Sequence, residues 1–428
     1  MGDTNNVKTK RHTQTRRLRT RYGTRSQNAT VSTEPVSETT TKNPSPVLPD
    51  ELIGEILVRV PVRSLIQFKC VCKSWKTLIS DPQFAKRHHL NSNSYPQLFC
   101  PLFGEGDLDI VSYNVESLLE NNSTNSNPIT PYNTFATNHN YVIVGLCKGL
   151  FCLIDIEESY VILWNPLLNL KSKKSPTMVS LYGDDDSVSY HGFGYDHVND
   201  KYKVLVNVCN FNKYGESVTR IYTSGENSWK TIENIPGDPD EIHFDTSTGR
   251  LVSGNLNWVI NKDINSNEEV IITFDIMNET YGEMLLPPHD GEKMSNVMLD
   301  VLSDCLSLCF ESNQSKWVVW MMKEYGVGES WTKLMTISNV FFTIEPRMVE
   351  AESSDEPVMI PNQNVTMRPS YVNSLFISEN GTILVNTMRS KIVLYNSCHG
   401  RSHYPIISSF ININELEFYH ESLVLPEW

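Results

Sequence analysis

Residues 47–90 read VLPDELIGEILVRVPVRSLIQFKCVCKSWKTLISDPQFAKRHHL. Their apolar residues recur at helical spacing: Leu52, Ile53, Ile56, Leu57 and Val60 fall on one face of a 3.6-residue period. Pro49 suits a first helical position, where a missing N–H costs nothing, and Asp50 and Glu51 follow where the helix dipole favours carboxylates. Pro61 ends this helix and Ser64 is placed to cap a second. The second apolar face is Leu65, Phe68, Val71 and Cys72, continuing through Trp75 to Leu78 and Ile79. Lys69, Lys73 and Lys76 fall on the wet side, and Asp81-Pro82 opens a last short turn carrying Phe84. A unit this small buries too little surface to be stable alone. The expectation is a helical attachment module that shares its core with a partner polypeptide, with the rest of the chain as what it attaches.

Leu48-Pro49, Glu55-Ile56-Leu57, the break Val60-Pro61-Val62, Ser64-Leu65, Phe68-Lys69-Cys70-Val71-Cys72-Lys73-Ser74-Trp75 and Leu78-Ile79-Ser80-Asp81-Pro82 with Phe84 follow one another without a gap. In this order and spacing the segment resembles the F-box in its plant form, with Val60 where the family has Leu. The resemblance implies docking on a Skp-type adaptor, and through it an indirect link to a cullin–RING ubiquitin ligase core. The residues it assigns to the F-box core or the adaptor contact are Leu48, Pro49, Leu52, Ile56, Leu57, Pro61, Val62, Leu65, Phe68, Val71, Cys72, Trp75, Leu78 and Ile79. Which of them face inward is not legible from the sequence.

From residue 95 the period changes to two. Short β-branched and aromatic runs such as Tyr160–Trp164, Lys203–Val208, Ile271–Phe274, Trp317–Trp320 and Lys391–Tyr395 alternate with turns rich in Gly, Asn, Asp and Pro. A repeat underlies them, in which a strand ending in an aromatic is followed by a polar turn and often by a second aromatic. Tyr222 leads to Trp229, Phe274 to Tyr281 and Trp320 to Trp331. The leading aromatics Tyr113, Trp164, Tyr222, Phe274, Trp320 and Tyr395 are separated by 51, 58, 52, 46 and 75 residues. Periods of about 50 residues with several strands each mark kelch-type propeller blades. The long final gap holds an acid-, Pro- and Ser-rich stretch at 345–370 that reads as an inserted loop. Trp164, Trp229, Trp320 and Trp331 are expected to be core between sheets and not a ligand cage.

Five groups of residues carry a second resemblance. They are Gly145-Leu146-Cys147-Lys148-Gly149-Leu150-Phe151-Cys152, Leu163-Trp164-Asn165-Pro166, Gly192-Phe193-Gly194-Tyr195-Asp196 with Asp200-Lys201-Tyr202-Lys203-Val204, Leu256-Asn257-Trp258, and Met322–Val327 before Glu329-Ser330-Trp331. They are similar to the plant F-box-associated domain, with Lys148-Gly149 where that family has Asn-Gly. The fold expected is mainly β: a small N-terminal helical F-box followed by a kelch-like β-propeller of six blades, with length enough for a seventh. The divisions are a polar basic tail at 1–45, the F-box at 46–91 and the propeller at 95–428.

Composition bounds the rest. Residues 1–30 hold eight Lys and Arg against Asp3, a net +7 in a chain whose net charge is −14, so the remainder carries −21. An acidic body argues against nucleic-acid binding. The tail is expected to be disordered, and its basic run Arg16–Arg21 reads either as a solvated tail or as a nuclear-import patch. No apolar run approaches the ~20 residues of a bilayer span and no signal peptide is visible, so no membrane role is expected. The nine cysteines form no CxxC pair, which points to reduced, buried thiols and to the cytoplasm or nucleus. No metal and no cofactor are expected. Asp184-Asp185-Asp186 lacks the spaced ligands of a calcium loop, and His191, His243 and His289 are scattered. No GxSxG, HExxH, P-loop or GxGxxG is present.

The function expected is a non-catalytic substrate receptor of a Skp–cullin–F-box ubiquitin ligase, holding a protein target on propeller loops. The candidate loops are 181–187 around Asp184, 210–217 around Asn212, 234–241 around Asp238, and 345–370 around Glu350. Their acid content points to a basic target. Two alternatives stand beside it: a propeller hydrolase, and an adaptor-binding scaffold outside any ligase.

Overall fold

A computed structural model describes residues 48–91, 96–103, 108–120, 129–137, 139, 141–155, 157–179, 183, 186–210, 212–236, 243–244, 247–261, 269–288, 294–313, 316–338, 372–387, 391–396, 401–403 and 416–427. The basic tail, Asp184, Asp238 and Glu350 lie outside these residues. The chain divides after Pro49 into two compact units, and every helix and sheet among the described residues belongs to the second. Among the described residues no helix is long and apolar enough to cross a membrane.

The leading segment forms four helices: α1 (Asp50–Leu57), α2 (Val62–Phe68), α3 (Lys73–Ile79) and α4 (Pro82–Asn91). Three details differ from the sequence reading. The cap of α2 is Pro61, with no side-chain bond, because the helix already begins at Val62 and leaves Ser64 inside its first turn. Residues 69–72 break the second apolar face into two helices, and Cys72 becomes the cap of α3, its Sγ accepting the Trp75 N–H at 3.4 Å. The turn after Asp81-Pro82 extends to a ten-residue helix, whose first N–H groups are met by Asp81 Oδ1 (2.7 Å from Gln83 N).

The remaining strands form six sheets of four or five strands, each antiparallel. The second blade runs Tyr141–Cys147, Leu150–Asp155, Tyr160–Asn165 and Leu170–Lys171; the third Asp186–Asp196, Lys201–Asn210, Lys213–Thr223 and Lys230–Ile232. In the fourth, His243–Phe244 and Arg250–Val252 both pair with Asn255–Asn261, followed by Glu269–Asp275 and Thr280–Met284. The fifth runs Met294–Leu302, Cys305–Ser312, Lys316–Met322 and Trp331–Ser338; the sixth Val372–Ile377, Thr382–Thr387, Lys391–Asn396 and Arg401–His403. First strands of consecutive blades lie beside one another, as Tyr141–Cys147 does beside Asp186–Asp196.

The first blade is assembled from both ends of this domain. Glu417–Tyr419 pairs antiparallel with Gln97–Phe103, and Leu108–Asn114 and Asn133–Ala136 complete the sheet. The last described strand therefore takes the first position and closes a six-bladed propeller, which removes the open edges a sheet ring would otherwise expose. A short helix α5 (Val115–Glu120), not foreseen from the sequence, follows the third strand of this blade.

The aromatic repeat maps onto this order. Tyr113, Trp164, Tyr222, Phe274, Trp320 and Tyr395 each lie in the third strand of one of the six blades. Tyr222 meets Trp229 at 5.4 Å and Phe274 meets Tyr281 at 4.9 Å between ring centroids. Trp164 and Trp331 are buried, Trp320 is half-buried against the core that holds Trp331, and Trp229 is half-buried against a separate core.

Because neighbouring strands alternate in direction, first-to-second and third-to-fourth turns gather on one face of the ring. Second-to-third turns and blade-to-blade crossings gather on the other. The candidate loop at 210–217 is a second-to-third turn, with Asn212 exposed, the described parts of 181–187 and 234–241 lie at the passage from the last strand of one blade to the first of the next, and 345–370 lies outside the described residues. The strand ends flanking 181–187, 210–217 and 234–241 therefore share one face.

Candidate docking face and its seat on the propeller

The F-box helices sit on the other face. Leu57, Val58, Val62, Leu65, Ile79, Phe84 and Ala85 are buried in one apolar cluster with propeller residues Val144, Leu150, Leu163, Tyr195 and Tyr202 and with Leu423 and Val424 from the C-terminal segment. This corrects the expectation that the helical module lacks a core of its own chain. The propeller supplies that core, which a helix set of this size cannot close by itself.

The fourteen residues assigned from sequence separate into three sets. Leu57, Val62, Leu65 and Ile79 are buried in the seat. Phe68, Trp75 and Leu78 are half-buried, with the Phe68 and Trp75 rings 5.6 Å apart. Leu48, Pro49, Leu52, Ile56, Pro61, Val71 and Cys72 are exposed, and Leu52, Ile56 and Val71 show 50%, 54% and 62% of their surface to solvent. Apolar side chains that open on a segment whose opposite side is fully packed are an unfinished surface. Period alone could not separate the sets, because Ile56 and Leu57 are neighbours on one broad apolar stripe. The expectation of buried thiols is corrected at Cys70 and Cys72: both are exposed, since the turn between α2 and α3 points outward, whereas Cys100, Cys147, Cys152 and Cys309 are buried. Burial pushes the Cys147 thiol up to about 12. Lys69 is half-buried and not fully on the wet side, and that burial, with Lys76 nearby, pulls its ammonium below the usual value.

The seat is built by residues that carried the family resemblance. Lys148 (φ 52°) and Gly149 (φ 73°) make a two-residue turn of the type that joins twisted hairpins. A Cβ at Gly149 would lie 2.4 Å from Ser422 Cβ and 2.6 Å from the His420 carbonyl oxygen, so only glycine lets the C-terminal segment cross there. Buried Asn165 donates through Nδ2 to the carbonyl oxygens of Ser422 (2.9 Å) and Val424 (2.8 Å). Lys148 Nζ lies 3.0 Å from the centroid of the Tyr195 ring, and burial draws this ammonium down to about 8. Gly192 and Gly194 give blade four its approach: Cβ atoms there would meet Leu256 at 2.5 Å and Ile276 at 2.0 Å. Lys203, buried, donates to the Ile276 carbonyl (2.8 Å) and Glu279 (2.9 Å) and lies 3.4 Å from Asp196. Burial works against the Asp196 charge, but donors from Asn199 and Val198, with Lys203, hold its carboxyl below the usual range.

Polar contacts tie the helices down. Arg63 Nε donates to both oxygens of Glu421 (2.9 and 3.0 Å), and its guanidinium stacks 4.1 Å from the Tyr132 ring centroid. Burial opposes the Arg63 charge, and the Glu421 carboxylate outweighs it, so the guanidinium is raised above its ordinary value. Lys86 Nζ donates to Asp200 Oδ1 at 2.6 Å. His88 Nε2 meets the Val60 carbonyl at 2.8 Å. Burial, with His420, Lys148 and His88 close by, pushes His89 down to about 4. No sequence signal marked the C-terminal segment: its part in the seat follows from strand order, not from a motif.

The comparisons agree with this architecture. The description "F-box domain" matches residues 46–87 and "F-box associated beta propeller domain" matches residues 105–404. The Arabidopsis thaliana protein named F-box/kelch-repeat protein At3g23880 is 28% identical over 401 residues, covering 91% of this chain and 99% of the relative. F-box protein At3g07870 of the same plant is 27% identical, covering 83% of this chain and 86% of its own length, and F-box protein CPR1 is 26% identical, covering 73% and 76%. The protein therefore belongs to the plant F-box proteins in which an F-box precedes an F-box-associated β-propeller.

Proposed function

We propose that this chain is the substrate-recognition subunit of a Skp–cullin–F-box ubiquitin ligase. An F-box implies a Skp-type adaptor, and proteins that join an F-box to a propeller are typically receptors of this class. The observation that carries the reading is the exposure of Leu52 and Ile56 on α1 and of Val71 in the turn after α2, on a segment whose other side is already packed. A few such anchors suffice for a protein interface, each contributing about 1.5–3 kcal/mol when buried. The propeller face away from the F-box carries the longer loops and holds a target protein. The receptor itself makes and breaks no bond: it raises the effective concentration of a target lysine near a ubiquitin-charged enzyme. This reading places the protein in the cytoplasm or nucleus.

Leu52→Asp and Ile56→Asp test it. Both side chains are exposed, so unfolding midpoints should stay near wild type while recovery of a Skp-type adaptor in pull-down is lost. Equal adaptor recovery by wild type and by both variants overturns the proposal. Leu57→Asp is not a test of docking, because Leu57 faces the seat and a charge there disrupts folding.

A further inference from the structure

The strand that closes the ring and the segment that seats the F-box are consecutive. Glu417–Tyr419 pairs with Gln97–Phe103, and two residues later Glu421 meets Arg63. Ser422 then passes over Gly149, and Leu423 and Val424 enter the cluster of Leu57, Val62 and Leu65. Glu421, Ser422, Leu423 and Val424 are all buried. These four residues touch α2, the second blade and the shared core at once. We infer that this C-terminal run couples closure of the propeller to the seating of the F-box. The orientation of the docking face relative to the opposite propeller face is then fixed by the end of the propeller chain, and Arg63, Asn165, Glu421, Leu423 and Val424 act as positioning residues.

The chemistry of the contact favours a rigid joint over a loose tether. Its centre is apolar, its Arg63–Glu421 pair is bidentate and shielded by the Tyr132 ring, and two backbone carbonyls of the crossing segment, those of Ser422 and Val424, are met by a single buried amide. Two bodies joined by a continuous apolar core do not swing as domains joined by a thin polar contact do. The inference rests on these contacts alone. Only its consequence for ubiquitin transfer, a fixed distance from adaptor to target, rests on the receptor reading.

The test uses the full chain with spin labels at Gln83→Cys on α4 and Glu226→Cys on the third blade, both exposed positions, in a Cys70→Ser, Cys72→Ser background. Pulsed electron resonance should give one narrow distance in the parent. Leu423→Asp with Val424→Asp should broaden it about twofold or more. Arg63→Glu should broaden it less, and Arg63→Glu with Glu421→Arg should restore it. Hydrogen exchange in Lys201–Asn210 and Cys305–Ser312 should stay within about threefold of the parent. An unchanged narrow distance in the Leu423 and Val424 variant overturns the inference. General loss of protection in those two strands also overturns it, since the segment would then be ordinary propeller core. Failure of the parent to bind a Skp-type adaptor would remove the receptor reading and leave this result standing.

Discussion

The two faces of this propeller are built by different means. On the face that carries the F-box, strands are joined by tight turns held in left-handed backbone. Lys148-Gly149, Ser253-Gly254 and Ser303-Asp304 are two-residue turns with both residues at positive φ, and Asn169, Asp200, Gly225, Glu279 and Gly326 add single left-handed positions on the same side. On the other face the crossings between blades vary in length, from the short step between Ala136 and Tyr141 to the interval between Ser338 and Val372. A rigid, turn-tight face suits permanent packing against helices, and variable loops on a fixed scaffold suit recognition. Gly149, Leu150, Leu163, Asn165, Tyr195 and Tyr202, which carried the family resemblance in blades two and three, lie around the seat, so much of what identifies the family here is the joint between helices and propeller.

The largest expected effect falls on the seat. Gly149→Val places a β-branched side chain at φ 73° and drives its Cβ into Ser422 and the His420 carbonyl. The left-handed strain and the displacement of Leu423 and Val424 should together cost about 3–5 kcal/mol in chemical denaturation. A loss under about 1 kcal/mol would show that the C-terminal segment leaves its seat freely, and the contrast between the faces would lose its basis.

A smaller effect concerns the ring between the faces. His191, buried in the first strand of blade three with Nδ1 on the Val144 carbonyl (3.0 Å), is pushed down to about 4 by burial. Its folded value lies below the unfolded value near 6.5, so the unfolded chain binds the extra proton between the two. The stability tied to the neutral ring is complete above about pH 6.5 and is lost as pH falls towards 4, about 3 kcal/mol over the window. His89 shifts the same way at the seat. Urea midpoints measured from pH 7.5 to 4.5 should fall more steeply for wild type than for His191→Gln, and parallel curves would refute the assignment.

The smallest effects should come from one ion pair on each face. Lys86–Asp200 joins α4 to a turn of blade three, and Lys174–Glu158 lies at the other end of blade two. All four side chains are substantially exposed, so Lys86→Ala or Lys174→Ala should cost no more than about 1 kcal/mol. The cost at Lys86 should shrink in high salt without loosening the F-box. If Lys86→Ala alone freed the F-box, the apolar seat would not be what holds it.

Much was legible in advance where a local pattern has one structural solution. Six aromatics spaced 46 to 75 residues apart favoured six blades and left room for a seventh, and the six sheets decide the count. The F-box helices were legible from Leu52 to Ile79, since a 3.6-residue period with Pro breaks has no strand alternative. The cap at Pro61, the short helix Val115–Glu120 and the division of Ile56 from Leu57 were not, because each depends on what lies across from it. Chain order also hid the role of Glu417–Val424, whose partners Gln97, Arg63 and Asn165 are hundreds of residues away.

By itself, then, the sequence determined that a small helical module precedes a repeating β domain, since periodicity and turn chemistry are local and act through neighbours a few residues apart. Only the tertiary structure decided which apolar side chains of that module are open and which are packed. It also decided that the end of the propeller chain holds the module in place. Both depend on contacts between distant segments, where burial is shared by surfaces that no sequence window contains.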